Sequence, residues 1–121
     1  MFPDLSPMFG SVTMSYQASI AANTTVDNVL AGQQYQQAPF DGFLTVRCAG
    51  SATGLRLSVL VQGVSKLNRG FVNTQNRVPI QPDDIIVANV PVRAGQQIVL
   101  PAENTTGGAL TLNVIAELVP A

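Results

Sequence analysis

The stretch Val12-Thr13-Met14-Ser15-Tyr16-Gln17-Ala18-Ser19-Ile20 decides the fold class. Apolar Val12, Met14, Tyr16, Ala18 and Ile20 alternate with polar Thr13, Ser15, Gln17 and Ser19. Successive side chains on a β-strand point to opposite faces, so this period of two predicts a strand with one buried face. The pattern returns at the other end, where Leu110, Leu112, Val114, Ala116 and Leu118 alternate with Thr111, Asn113, Ile115 and Glu117. Between them, Leu55, Leu57, Val59 and Val61 alternate with Arg56, Ser58, Leu60 and Gln62.

Shorter strands are predicted between these three. Phe43 to Cys48 follows the turn Pro39-Phe40-Asp41-Gly42, where Pro fixes φ and Gly tolerates a positive φ. Ala49-Gly50-Ser51-Ala52-Thr53-Gly54 is expected to join this strand to Leu55–Gln62 as a hairpin. Ile85 to Val90 follows Gln81-Pro82-Asp83-Asp84, and Pro91 suits an edge position. Ile98 to Leu100 follows Arg93-Ala94-Gly95-Gln96, Thr25 to Leu30 and Gly70 to Val72 are weaker candidates, and 103–108 reads as a loop. No window carries helical periodicity. About seven to nine short strands with closely spaced turns predict an all-β, antiparallel sandwich or barrel. With no Trp and one Cys, the Cys…Trp…Cys core of immunoglobulin domains is absent.

At 121 residues the chain is expected to form one core. Residues 11–121 are assigned to a single domain and residues 1–10 to an extended N-terminal arm. The arm contains two prolines and the apolar residues Phe2, Leu5, Met8 and Phe9 without strand or helix periodicity. A tail meant only for water has little use for four large apolar side chains. Phe2, Pro3, Leu5, Met8 and Phe9 are therefore the predicted partner interface, an arm laid onto a neighbouring subunit.

The side chains that do acid–base or metal chemistry are scarce. Charged residues make up 11% of the chain, against about 25% in an average soluble domain. Their place is taken by ten Gln, nine Thr, eight Asn and seven Ser. Without His, neither a Ser-His-Asp nor a Cys-His arrangement can be built, and imidazole metal sites are excluded. No phosphate-binding glycine loop occurs. Asp83 and Asp84 read as solvated turn residues after Pro82, with a cation-binding edge as the alternative. The expectation is no enzyme, no cofactor, no metal and no small-molecule substrate.

Cys48, the single cysteine, lies in an apolar stretch and reads as a buried free thiol. Tyr16 falls on the apolar face of its strand, leaving Tyr35 among glutamines as the candidate exposed tyrosine. Asn23-Thr24-Thr25 and Asn104-Thr105-Thr106 match the N-glycosylation pattern but read as turn and strand-start residues. No Lys or Arg precedes Arg47, so the chain has no basic arm for packaged phosphates. Lys66, Arg69 and Arg77 fall in a stretch read as irregular, a solvated loop or a small basic patch. No apolar run approaches the ~18 residues of a membrane span, and Met1–Pro7 lacks the basic start and apolar core of a signal peptide.

Two motifs carry a resemblance. Tyr35-Gln36-Gln37-Ala38-Pro39-Phe40-Asp41-Gly42-Phe43-Leu44-Thr45-Val46 is similar to the apolar-Pro-x-Asp-Gly-aromatic lead-in to a strand of jelly-roll virion proteins and trimeric knob domains. Val90-Pro91-Val92-Arg93-Ala94-Gly95-Gln96-Gln97-Ile98-Val99-Leu100 resembles a hairpin found late in such folds. With the low charge and the apolar arm, the whole chain resembles capsid cement or decoration proteins of tailed phages. The resemblance implies a jelly roll of about eight strands on the virion, assembled in the host cytoplasm. Its implied partners are the major capsid protein and copies of itself, as a dimer or trimer, without direct nucleic-acid or membrane binding. The alternatives are a single-jelly-roll major coat protein and a receptor- or glycan-binding knob.

Overall fold

Alternation in sequence becomes alternation in burial along β1 (Val12–Ile20), where Met14 and Ile20 are buried and Thr13, Ser15, Gln17 and Ser19 are exposed. The computed structural model describes residues 11–33, 36–75, 78–79 and 82–121. These contain ten strands, one short 3-10 turn at Pro82–Asp84 and no α-helix. After β1 come β2 (Thr25–Val26), β3 (Gly42–Gly50), β4 (Leu55–Val61), β5 (Val64–Phe71) and β6 (Asn73–Thr74). β7 (Ile85–Val92), β8 (Ile98–Val99), β9 (Ala102–Asn104) and β10 (Leu110–Pro120) complete the chain.

The strands form two antiparallel-rich sheets, consistent with a β-sandwich. In the first the order is β1-β10-β3, and β7 and β6 share the far side of β3. In the second the order is β2-β9-β4-β5, with β8 also on β4. β1 runs against β10 in unbroken register from Val12↔Leu118 to Ile20↔Leu110. Leu112, Val114, Ala116 and Leu118 of β10 are buried, as are Leu44, Val46 and Cys48 of β3. Leu55, Leu57, Val59 and Val61 supply the core from β4. These residues form one apolar cluster with Phe40, Ile98 and Leu100.

Several sequence expectations need correction. β3 and β4 are not a hairpin, because they belong to different sheets. Both are central strands, and the link 51–54 carries the chain from one sheet to the other. Gly54 makes that passage with φ at 123°, and a Cβ there would run into Thr106 Cγ2. The hairpin partner of β4 is β5, turned at Gln62 and Gly63 with φ of 51° and 78°. Lys66 and Arg69 therefore lie on a strand, not in an irregular stretch. An edge strand that is exposed on most of its length has no apolar alternation to betray it. The strand expected over Thr25–Leu30 is limited to Thr25–Val26, with Val29 and Leu30 buried from turns. Glu103 and Asn104, expected in a loop, end β9.

The two motifs that carried the resemblance meet in space. Ala38 N–H donates to the Gln96 carbonyl (2.9 Å), Gly95 N–H to the Ala38 carbonyl (2.8 Å) and Ile98 N–H to the Gln36 carbonyl (2.8 Å). Asp41 Oδ1 accepts the Ala94 N–H at 2.9 Å. This unit seals one end of the core with Phe40, which is fully buried. Pro91 sits on β7 opposite Phe43, on a strand that among the described residues pairs with β3 alone.

Candidate functional site

The predicted interface residues Phe2, Pro3, Leu5, Met8 and Phe9 lie outside the described residues, as do Tyr35 and Arg77. Tyr16 is half-buried and packs against the core. Asp83 and Asp84 do not share an environment: Asp83 is exposed, whereas Asp84 is 2% exposed and accepts a hydrogen bond from Asn73 Nδ2 at 2.8 Å. The reading of Asp84 as a solvated turn residue is thus corrected, because the 3-10 turn folds it inward beside β6. Among the described residues, no group of three or more His, Cys, Asp or Glu is placed to hold a metal ion.

Cys48 is buried and free. Burial pushes its thiol up from an ordinary 9.0 to about 12, the Asp84 carboxylate adds to the rise, and a hydrogen bond from the Asn73 backbone opposes it. The thiol is therefore neutral at physiological pH, which is the opposite of an activated nucleophile. Two results follow. The folded protein should resist iodoacetamide at pH 8 and react only in denaturant. Stability should also fall as pH rises above 9, because the unfolded thiol ionises there while the folded one holds its proton until about 12. The contribution is present in full below pH 9 and declines by about 1.4 kcal/mol per pH unit across that window. Cys48→Ala should lack this slope in urea titrations at pH 8–11; an unchanged slope would count against burial as its cause.

A second grouping, which sequence reading missed, lies on the outward face of the second sheet. Register places Glu103 of β9 and Phe71 of β5 directly beside Arg56 of β4. The Arg56 guanidinium sits 4.0 Å from the centroid of the Phe71 ring, in cation–π stacking. Arg69 grips Glu103 through two hydrogen bonds, Nε to Oε2 at 2.9 Å and Nη2 to Oε1 at 3.2 Å. Arg56 Nη1 also donates to the Arg69 carbonyl at 3.2 Å. Phe71 remains 76% exposed. Held by a flat cation on one side, the ring is a rigid aromatic platform that loses little freedom on meeting a partner.

The composition of this cluster is that of a contact surface. Glu103 is committed to Arg69, and the neighbouring Ser58 Oγ accepts the Arg69 N–H at 3.0 Å. Exposed ion pairs of this kind add no more than about 1 kcal/mol to stability. Arg and aromatic residues are, however, the types that dominate binding energy at protein interfaces. Only the fold brings them together, since Arg56 and Phe71 lie on different strands of a hairpin the sequence did not reveal.

The outward face of the first sheet is different. Val119, Phe43 and Pro91 form one exposed apolar row across β10, β3 and β7. Behind it lie Thr13, Glu117 and Thr45 in register, then Ser15, Ile115 and Arg47. Arg47 and Glu117 approach to 3.9 Å. A cleft of about 340 Å3 between β1, β10 and Val78–Pro79 is lined by Ser15, Gln17, Asn113 and Ile115, none of them charged.

The chain matches no protein-family model, no curated protein and no solved structure.

Proposed function

We propose that this chain is a structural virion protein, a jelly-roll cement or decoration subunit that joins copies of itself and the major capsid protein on the shell surface. The observation that carries the reading is the interleaving of the two sheets. Taking β8 and β9 as one interrupted strand and β6 as an addition to β3, eight main strands run first-eighth-third-sixth and second-seventh-fourth-fifth. That order is the one expected of a jelly roll, a fold frequent in capsid proteins.

The surfaces support the same reading. On β1 the outward face is made of the neutral side chains Thr13, Ser15, Gln17 and Ser19, and such side chains hydrogen-bond across an interface without the desolvation cost of charge. Two anchors stand out, the Arg56–Phe71 stack and the Val119–Phe43–Pro91 row. An assembly repeats one interface many times, so modest contacts suffice when they act together.

Co-sedimentation with the virus capsid tests the proposal. The intact chain should pellet with capsids, while Phe71→Ser and a chain lacking residues 1–10 should each bind at least about tenfold more weakly with unchanged far-UV spectra. Unchanged binding by both would remove the two surfaces from the account. Closed shells formed by the chain alone, seen by electron microscopy, would identify a major coat protein instead. One observation favours a glycan-binding knob as the second reading: Phe71 offers the exposed ring that sugar stacking needs, beside Arg69 and Glu103. Hits on a glycan array that vanish with Phe71→Ser would establish it.

A further inference from the structure

Among the described residues the outer strands β1, β2, β5, β6 and β7 differ in how they meet a neighbour. β2 and β6 are each two residues long. β5 is bulged against β4, carries Lys66 and Arg69, and holds Arg69 at a φ of 51°. β7 is bulged against β3, holds Asn89 at a φ of 55°, and contains Pro91. Short length, bulges, charge and proline are the devices that stop an edge from pairing with another chain. β1 has none of them. Its nine residues include no Gly, Pro or charge, and its register with β10 is continuous.

Among the described residues β1 pairs with β10 alone, and the direction of the backbone groups on its other edge is also defined. Thr111 turns its backbone toward β3, donating to Ser51 Oγ and accepting from the Ser51 N–H, each at 3.0 Å. Alternate residues of β10 therefore serve β1, and in an antiparallel ladder these pair with the even-numbered residues of β1. Thr13, Ser15, Gln17 and Ser19 thus direct their N–H and C=O groups off that other edge. The Ser15 carbonyl confirms that direction by accepting a hydrogen bond from the side chain of Gln33 at 3.1 Å. On the inward face, Val12, Tyr16 and Ala18 are only half-buried, as expected where a core is open at one side.

We infer that β1 is a homodimerisation edge, pairing antiparallel with β1 of a second copy about a two-fold axis. This takes up the self-association proposed above and gives it a surface. The occupant follows from self-complementarity. With Tyr16 on the axis, Thr13 faces Ser19 and Ser15 faces Gln17, while Val12 faces Ile20 and Met14 faces Ala18. Polar residues stay on the outer face and apolar residues on the inner face in both copies, as strand register demands. The first sheets of the two copies become one continuous sheet, the Gln33 amide is displaced by backbone donors, and the half-buried side chains gain cover. A two-fold contact of this kind closes on itself as a dimer.

Sedimentation velocity on the full chain tests the edge. The chain should run at twice its 12.7 kDa mass. Ser15→Lys/Gln17→Lys puts like charges across the axis from the solvent face, as does Ser15→Glu/Gln17→Glu. Each alone should keep the wild-type spectrum and melting curve and raise the dimer Kd about tenfold or more. An equimolar mixture of the two should restore the dimer, because every cross-axis pair is then opposite in charge. A chain of residues 11–121 should dimerise as the full chain does. A monomeric wild type, a trimer, dimers undiminished in both double variants, no rescue on mixing, or loss of the dimer with residues 1–10 would each overturn the inference. A chain that passes these tests yet never binds capsids would sink the proposed function and leave the edge intact.

Discussion

Asn104→Ala is expected to destabilise the fold by about 3 kcal/mol or more, an outsized loss for one small polar side chain. Asn104 is 1% exposed and uses both ends of its amide. Nδ2 donates to the Ile20 and Gly108 carbonyls, both at 2.9 Å. Oδ1 accepts the Thr106 N–H at 2.9 Å and the Thr106 hydroxyl at 2.7 Å. One side chain thus ties the end of β9 to the end of β1 and to the loop before β10. Truncation removes four hydrogen bonds at once from a buried site, each worth about 0.5–1.5 kcal/mol. Asn104→Asp keeps the shape and the acceptor but sets a carboxylate against two carbonyl oxygens, so it should not rescue. Urea unfolding of both variants measures this, and a loss below about 1 kcal/mol for Asn104→Ala would show that the loop re-forms its bonds without the amide. The same burial removes Asn104 as an acceptor for glycan, despite its Asn-Thr-Thr pattern.

Phe40→Ala should cost about 3–5 kcal/mol and lower Tm by roughly 10 °C or more. Phe40 is fully buried although it belongs to the loop that leads into β3. The loop cannot follow a smaller side chain inward, because it is fastened on both sides of the ring. Ala38 is bonded to Gln96 and Gly95, Asp41 Oδ1 accepts from Ala94, and the Asp41 carbonyl accepts the Ala121 N–H at 2.9 Å. The void therefore stays open, and the penalty includes both lost burial and an unfilled cavity. Phe40→Leu should recover most of the loss. If both variants melted within about 2 °C of wild type, the end of the core would be plastic and the fastening unimportant.

These two residues show the limit of what a linear reading delivers. Phe40 was legible as part of a Pro-x-Asp-Gly turn, but its burial depends on Arg93–Gln96 arriving from far along the chain. Asn104 sat in a Thr- and Gly-rich stretch that reads as loop by composition. Its role comes from β1 and β10 ending beside it. Cys48 was legible as a buried thiol because its neighbours are apolar. Asp84 was not, since a turn after Pro82 points outward by default and only the packing against Asn73 turned it in. β5 was missed because an exposed edge strand selects for no apolar period.

By itself the sequence determined that this protein is built of strands. The alternations at Val12–Ile20, Leu55–Val61 and Leu110–Leu118 are local consequences of side chains leaving a pleated backbone on opposite faces, and each returned as a strand, its burial following the pattern except at buried Asn113. Tertiary structure alone decided which strands are neighbours. The pairing of β1 with β10, the separation of β3 from β4 and the meeting of Arg56 with Phe71 depend on contacts between distant segments. Period-two patterning states which face is buried but is blind to what lies beside the strand, because edge pairing is made by backbone groups that every residue shares.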